Sequence, residues 1–265
     1  MADQRGSTGD AVAAPSSDVW SLKDRVALVT GASTGLGRQF AATLAQAGAQ
    51  VMVTARRGDQ LAELCDATGP GTTFLAGDLT DPQHRQALVD QLHEQHGRID
   101  ILVNNAGRCD DGPLEDETLK ELISVIDLNL IATLDLCRLA APLLFASGTA
   151  SVINVASVYG LVSSSAPMAA YNASKGALVH LTRHLAAQWG GRGVRVNALA
   201  PSYFPTDLTG NLTDPGLRTA IAERTFLGRA PTLAELDGPL LYQASRASSY
   251  VTGHILAVDG GWTAA

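Results

Sequence analysis

Tyr171 and Lys175 stand four residues apart in Tyr171-Asn172-Ala173-Ser174-Lys175. On a helix, positions i and i+4 share one face, so the phenol and the ammonium point the same way. A phenol with its ordinary pKa of about 10 is a poor proton donor or acceptor near neutrality. A neighbouring cation favours the phenolate and draws that affinity toward the working range, which makes the pair a candidate general acid and base. Fourteen residues before the tyrosine, Ser157 follows the apolar run 151–156 and offers a hydroxyl to hold a carbonyl oxygen. Asn129 is polar among Val125, Ile126, Leu128, Leu130 and Ile131. It reads either as a helix kink satisfied by a backbone carbonyl or as the holder of a water connecting Lys175 to solvent.

A second cluster, Thr30-Gly31-Ala32-Ser33-Thr34-Gly35-Leu36-Gly37, follows an apolar run and opens into a helical pattern. Glycine lets backbone approach a phosphate, and a helix N-terminus presents free N–H groups and partial positive charge to it. The spacing GxxxGxG is wider than the standard GxGxxG fingerprint. The same residues satisfy GxSxG, the pattern of a hydrolase nucleophile elbow, with His254 as its candidate base. Such an elbow belongs to a central strand rather than the chain's first, and His254 opens a strand instead of sitting on a loop. About twenty residues on, where an acidic side chain would accept the ribose 2′-hydroxyl of NAD, the chain reads Ala55-Arg56-Arg57. A guanidinium fork matches a phosphate, so NADP(H) is favoured over NAD(H). The alternative is that both arginines are a solvated helix entry.

These residues need a frame that brings them together. Short β-branched runs at 26–30, 51–54, 73–76, 101–104, 151–156, 194–198 and 255–259 are apolar at successive positions, as strands covered on both faces require. Helical patterns occupy 36–47, 59–67, 82–96, 119–145 and 170–190, with Gly48, Gly97 and Gly190 closing three of them. The alternation predicts right-handed crossovers and an α/β doubly wound sheet of seven mostly parallel strands. Residues 1–20 read as a disordered leader and 21–265 as one domain.

Apolar residues make up 46% of the 265 and charged residues 17%, ample for a large core. The net charge of −7 and the lack of a basic run argue against nucleic acid as a partner and, mildly, against docking an acidic carrier protein. No stretch approaches 20 consecutive apolar residues, so no membrane span is expected. Cys65, Cys109 and Cys137 are scattered, which predicts no disulfide framework or metal site and fits a reducing cytoplasm.

Taken together, TGxxxGxG at 30–37, Asn104-Asn105-Ala106-Gly107, Asn129, Ser157 and Tyr171-x-x-x-Lys175 resemble the short-chain dehydrogenase/reductases, from about Leu22 to Trp262. The resemblance implies a single-domain Rossmann-like fold and a catalytic set of Asn129, Ser157, Tyr171 and Lys175. Ser157 would orient a carbonyl and Tyr171 would exchange the proton, while Lys175 also holds the nicotinamide ribose. Gly31, Ser33, Thr34, Gly35, Leu36 and Gly37 would cradle the pyrophosphate and Arg56 and Arg57 the 2′-phosphate. Asp78 and Leu79 would contact adenine, Asn105, Ala106 and Gly107 would line the cleft, and Pro201 and Thr206 would flank the nicotinamide. Tyr250-Val251-Thr252-Gly253 and Val258-Asp259-Gly260-Gly261-Trp262 resemble the branch of 3-oxoacyl-carrier-protein reductases and gluconate-type dehydrogenases. In that branch the last strand and two long helices pack between subunits, which implies a homotetramer. Pro201-Ser202 departs from the usual Pro-Gly.

The expected activity is NADP(H)-dependent hydride transfer between a ketone or aldehyde carbonyl and an alcohol. An NAD-dependent alcohol dehydrogenase and a non-catalytic dinucleotide sensor are the alternatives. The loop 108–113 and the segments 158–168 and 203–227 would wall the substrate. Leu161, Val162, Met168, Tyr203 and Phe204 there suggest an apolar pocket. A ketone, acyl thioester, steroid or sugar acid all remain open.

Overall fold

In this computed structural model the described residues are 17–110, 112–163 and 166–264. The strands are β1 (Val26–Thr30), β2 (Gln50–Ala55), β3 (Thr72–Ala76), β4 (Ile101–Asn104), β5 (Ser151–Val155), β6 (Arg195–Pro201) and β7 (Ile255–Val258). They form one sheet in the order β3-β2-β1-β4-β5-β6-β7, and every pairing is parallel rather than most of them. The central strands β1, β4 and β5 are buried at every position, which explains their unbroken apolar runs.

The helices are α1 (Gly35–Gln46), α2 (Gly58–Thr68), α3 (Pro82–His96), α4 (Leu119–Ile126), α5 (Ala132–Ser147), α6 (Ala169–Trp189), α7 (Pro215–Arg224) and α8 (Asp237–Ala244). Each sheet face has its own core. On one, Leu88 and Leu92 of α3, Leu136 and Leu144 of α5 and Trp189 of α6 pack together. On the other, Phe40 and Leu44 of α1, Leu61 and Leu64 of α2 and Leu240 of α8 do so. Chain progression reverses between β1 and β4, and in such sheets the crevice beyond the carboxyl ends of those strands is where ligands sit.

Four expectations are corrected. The helix over 119–145 is interrupted by a π-helical segment, Asp127–Ile131, between α4 and α5. Gly190 keeps right-handed helical geometry and leads into a short 3-10 turn, and the left-handed glycine that ends it is Gly193 (φ 78°). β6 runs to Pro201 because β7 continues the ladder as far as Pro201↔Val258. Ser17–Trp20 forms a 3-10 turn, with Trp20 ring-packed 6.5 Å from Tyr242, so the end of the expected leader belongs to the domain. Its first sixteen residues lie outside the described ones.

The run Leu119–Ser147 is long and apolar enough, by length and composition, to cross a membrane. In the fold one side of it packs on the sheet, while Leu119, Ile123, Ile131 and Leu134 face outward.

Candidate functional site

Beyond the carboxyl ends of the strands lies a cleft of about 740 Å3. Gly31 (φ 68°) and Gly35 (φ 54°) take the left-handed conformations that the turn from β1 into α1 demands. Gly37 does not line the cleft: a Cβ there would stand 2.3 Å from the Gly31 carbonyl oxygen, so its role is to let α1 lie against the loop. Thr34, at the N-cap of α1, makes no side-chain cap and instead donates from Oγ1 to Asp207 Oδ2 at 2.9 Å. A glycine cradle opening on an uncapped helix N-terminus fits a pyrophosphate. Asn105 secures it, its Nδ2 donating to the carbonyls of Thr30 (2.9 Å) and Gly31 (3.2 Å).

Every other residue expected to hold the cofactor lines this cleft: Ser33, Thr34, Leu36, Arg56, Arg57, Asp78, Leu79, Asn105, Ala106, Gly107, Tyr171, Lys175, Pro201 and Thr206. Arg57 is built into the loop. Its Nη2 donates to Ser33 Oγ (2.9 Å) and Thr34 Oγ1 (2.8 Å) and lies 3.7 Å from Asp207. Asp78 is held below the usual carboxylate range chiefly by the Thr80 N–H, with burial opposing and Arg56 assisting. Thr206 packs against Gly35, where an added Cβ would meet its methyl at 3.2 Å. Ser202 replaces a glycine without strain, since its backbone is not left-handed, and its N–H donates to Val258.

The chemistry-bearing end is assembled by three elements. β5 leads to Ser157, whose Oγ accepts from the Tyr159 N–H (3.2 Å) and hydrogen-bonds with the Tyr171 phenol. From α6, Lys175 Nζ donates to the Val155 carbonyl (2.7 Å) and lies 5.6 Å from the Tyr171 ring centre. Burial pushes Lys175 down to about 8. Tyr171 moves the opposite way from the sequence expectation: burial pushes it up to about 12, against the Ser157 hydrogen bond, which pulls it down. Desolvation dominates, and the phenol stays protonated at neutral pH.

Neither Ser157 nor Asn129 lines the large cleft, and Asn129 is fully buried in the π segment. Its Oδ1 accepts from the Arg108 N–H (2.9 Å), and its Nδ2 donates to the Arg108 carbonyl (2.9 Å) and to Ser174 Oγ (3.0 Å). Ser174 in turn donates to the Tyr171 carbonyl (2.7 Å). Asn129 is therefore satisfied by backbone, and the widened turn brings its amide to both the loop and α6.

Asp110 was not singled out in the sequence. Its two carboxylate oxygens accept from the Ala170 and Tyr171 N–H groups, each at 2.9 Å, and so cap α6 from sixty residues away. No local cap signal precedes α6, whose N-cap position is Met168. The hydrolase elbow fails on topology. Ser33 lies at the carboxyl edge of this parallel sheet, His254 immediately precedes β7 at the amino edge, and Ser33 Oγ is engaged by Arg57. Phe204 lines the cleft but is also a core side chain. Among the described residues no group of three or more His, Cys, Asp or Glu side chains could hold a metal ion.

Comparison with known proteins agrees with this geometry. Residues 31–263 match the family model described as enoyl-(acyl carrier protein) reductase. The chain is 37% identical to 2-dehydro-3-deoxy-D-gluconate 5-dehydrogenase of Bacillus subtilis (strain 168), covering 92% of this chain and 97% of that one. It is 36% identical to a tropinone reductase homologue of Arabidopsis thaliana, covering 91% of each. The crystal structure of a gluconate 5-dehydrogenase from Burkholderia cenocepacia J2315, in complex with NADP and tartrate, superposes with a TM-score of 0.88. Its sequence identity is 33%, covering 94% of this chain and 98% of that one. The chain belongs to the short-chain dehydrogenase/reductase family.

Proposed function

We propose that this chain is an NADP(H)-dependent oxidoreductase that interconverts a ketone or aldehyde carbonyl of a small molecule and the corresponding alcohol. One observation carries the reading. Ser157, Tyr171 and Lys175 meet beside a single cleft that also holds the glycine cradle and, where the 2′-substituent of a bound dinucleotide would lie, Arg56 and Arg57. The solved relative bound to NADP supports the same cofactor here.

When bound, the nicotinamide supplies or accepts the hydride. The chain's own residues do the rest. Arg56 and Arg57 hold the phosphate end, and Gly31, Gly35 and the N–H groups of α1 hold the pyrophosphate. Lys175 orients the ribose and places positive charge near the reacting oxygen. Ser157 donates a hydrogen bond to the carbonyl oxygen, and Tyr171 gives that oxygen its proton in reduction or removes it in oxidation. A phenol pushed up to about 12 is fully protonated at neutral pH, which suits it as the acid of a reduction. Asn129 serves as a positioning residue, through Arg108 and Ser174.

The assembly is a cytoplasmic homotetramer. The outward apolar side chains of α4 (Leu119 and Ile123), the π segment (Ile131) and α5 (Leu134) and fully exposed Tyr250 beside edge strand β7 are the surfaces that copies would cover. Exposed apolar side chains of this kind support an interface between copies.

The test is a parallel titration with NADPH and NADH, followed by nicotinamide fluorescence, on the wild-type protein and on Tyr171→Phe. NADPH is expected to bind at least ten-fold tighter to both, with turnover lost only in the variant. Equal or tighter NADH binding overturns the cofactor assignment, and retained turnover in Tyr171→Phe overturns the role of the phenol.

A further inference from the structure

Asp207 brings a carboxylate from the segment after β6 to the arginines at the end of β2. It opens the short turn Asp207–Leu212 and lines the cofactor cleft together with Arg56 and Arg57. Its Oδ2 accepts from Thr34 Oγ1 at 2.9 Å and lies 3.7 Å from Arg57 Nη2. Arg57 itself donates to Ser33 Oγ and Thr34 Oγ1, so one network joins the glycine loop, the β2–α2 turn and the segment after β6. The turn that presents Asp207 is built to hold its shape. Thr209 Oγ1 accepts from the Thr206 N–H (2.9 Å) and donates to the Phe204 carbonyl (2.6 Å), and Leu212 is buried in a cluster with Ile221 and Trp262.

The place of this carboxylate gives it a bearing on the cofactor. In dinucleotide-binding folds the acidic group that favours NAD(H) stands at the end of the second strand, where this chain has Ala55. Here an acidic group reaches the same donors from 173 positions beyond Thr34. Among the described residues Asp207 is the one carboxylate that forms an ion pair with either Arg56 or Arg57. Asp78, on the same cleft, is turned instead to the Thr80 N–H (2.9 Å) and hydroxyl (2.8 Å). The side chains of Arg57 and Asp207 are 52% and 57% exposed, so their pairing contributes little to stability. Its consequence is for a second anion. A 2′-phosphate that seeks Arg57, Ser33 and Thr34 meets a carboxylate already engaged there.

We infer that Asp207 is a cofactor-specificity residue that opposes the 2′-phosphate, so that Arg56 and Arg57 select NADP(H) less sharply than they would alone. The inference rests on the NADP(H) reading above and deepens it. Asp207 competes with the phosphate for Arg57 and repels it, and it takes no part in hydride or proton transfer. A like charge about 4 Å away in water changes an affinity about five-fold, which sets the expected scale.

The test is isothermal titration of the wild-type protein, Asp207→Asn and Asp207→Glu with adenosine 2′,5′-bisphosphate and adenosine 5′-monophosphate. These present the adenosine half of the cofactor with and without the 2′-phosphate. Asp207→Asn is expected to bind the bisphosphate about five-fold tighter than wild type, with the monophosphate unchanged. Asp207→Glu, which keeps the charge, should stay near wild type. NADPH and NADH, followed by nicotinamide fluorescence, should repeat the pattern, with a wider preference for NADPH in Asp207→Asn. An unchanged bisphosphate affinity overturns the inference, and so does an equal tightening of both ligands. Weaker bisphosphate binding means that Asp207 braces Arg57 or its own turn, and overturns it as well. The wild-type protein reports on the cofactor reading separately. If it binds the bisphosphate no tighter than the monophosphate, the NADP(H) assignment falls, and the inference with it.

Discussion

The two edges of the sheet treat buried charge in opposite ways. At the amino edge Asp100 is 3% exposed and ringed by donors: Ser147 Oγ at 2.6 Å, the Val26 N–H at 2.8 Å, Arg98 Nε at 3.1 Å and Arg25 Nη1 at 3.3 Å. Burial alone pushes its carboxyl up, but the Ser147, Val26 and Arg98 bonds outweigh that and leave it below the usual range. At the carboxyl edge Lys175 is equally buried and burial wins, pushing it down to about 8. One edge therefore holds an ion in the form its surroundings prefer, and the other holds an ion in the form they resist. The first arrangement contributes to stability and the second to chemistry, which is why perturbed groups mark the functional end.

The sharpest way to break this contrast is Lys175→Met. With Lys175 at about 8 in the folded protein against an ordinary 10.5, the unfolded chain holds more protons between pH 8 and 10.5. Stability of the cofactor-free protein must then rise with pH across that window. Below it, keeping the ammonium charged costs roughly 3 kcal/mol. Turnover is expected to fall about a thousand-fold, while stability at pH 7, measured by urea unfolding, increases by about 1–3 kcal/mol. The rise between pH 8 and 10.5 should disappear. A variant less stable than wild type at pH 7 would show that Lys175 is held by favourable contacts after all.

Asp100→Ala tests the other edge. It strands Arg25, Arg98, the Ser147 hydroxyl and the Val26 N–H, and should lower stability by roughly 2–4 kcal/mol. Because the folded carboxyl is depressed below its ordinary 3.8, the contribution is present above that pH and is lost as pH falls through the folded value. Wild type and variant should therefore converge in acid. The turnover number of the folded variant is expected to match wild type. A change in turnover without a loss of stability would mean that the two edges are coupled.

Much of this contrast was legible in advance. The strands announced themselves because burial on both faces requires unbroken apolar runs, and the glycine loop because glycine takes φ 68° and 54° at Gly31 and Gly35 without the strain a side chain brings. Ser157, Tyr171 and Lys175 followed from strand-end and helical spacing. The shifts at Tyr171 and Asp100 did not, since desolvation depends on what the rest of the chain packs around a group. The π segment was hidden for a related reason. Asn129 is satisfied by Arg108 and by Ser174, twenty-one and forty-five residues distant, and only the folded chain brings them together.

Asp110 is the clearest case of function written in a long-range contact, and it gives the mildest test. Its carboxylate accepts two N–H groups of the first turn of α6, those of Ala170 and of Tyr171 itself, where negative charge also complements the helix dipole. The catalytic phenol is thereby fixed from the loop that follows β4, the same loop whose Arg108 is held by Asn129. Asp110→Asn keeps the shape but turns one acceptor into a donor that faces an N–H. The first turn of α6 should loosen by about 1 kcal/mol, enough to lower kcat about ten-fold through misplacement of the phenol. NADPH affinity should stay unchanged, because the glycine cradle and the arginines lie on other elements. Asp110→Glu, which restores the charge with a longer arm, should recover part of the loss. If kcat is unaffected while thermal stability falls, Asp110 belongs with Asp100 as a purely structural anchor, and the carboxyl edge is less specialised than its Lys175 and Tyr171 imply.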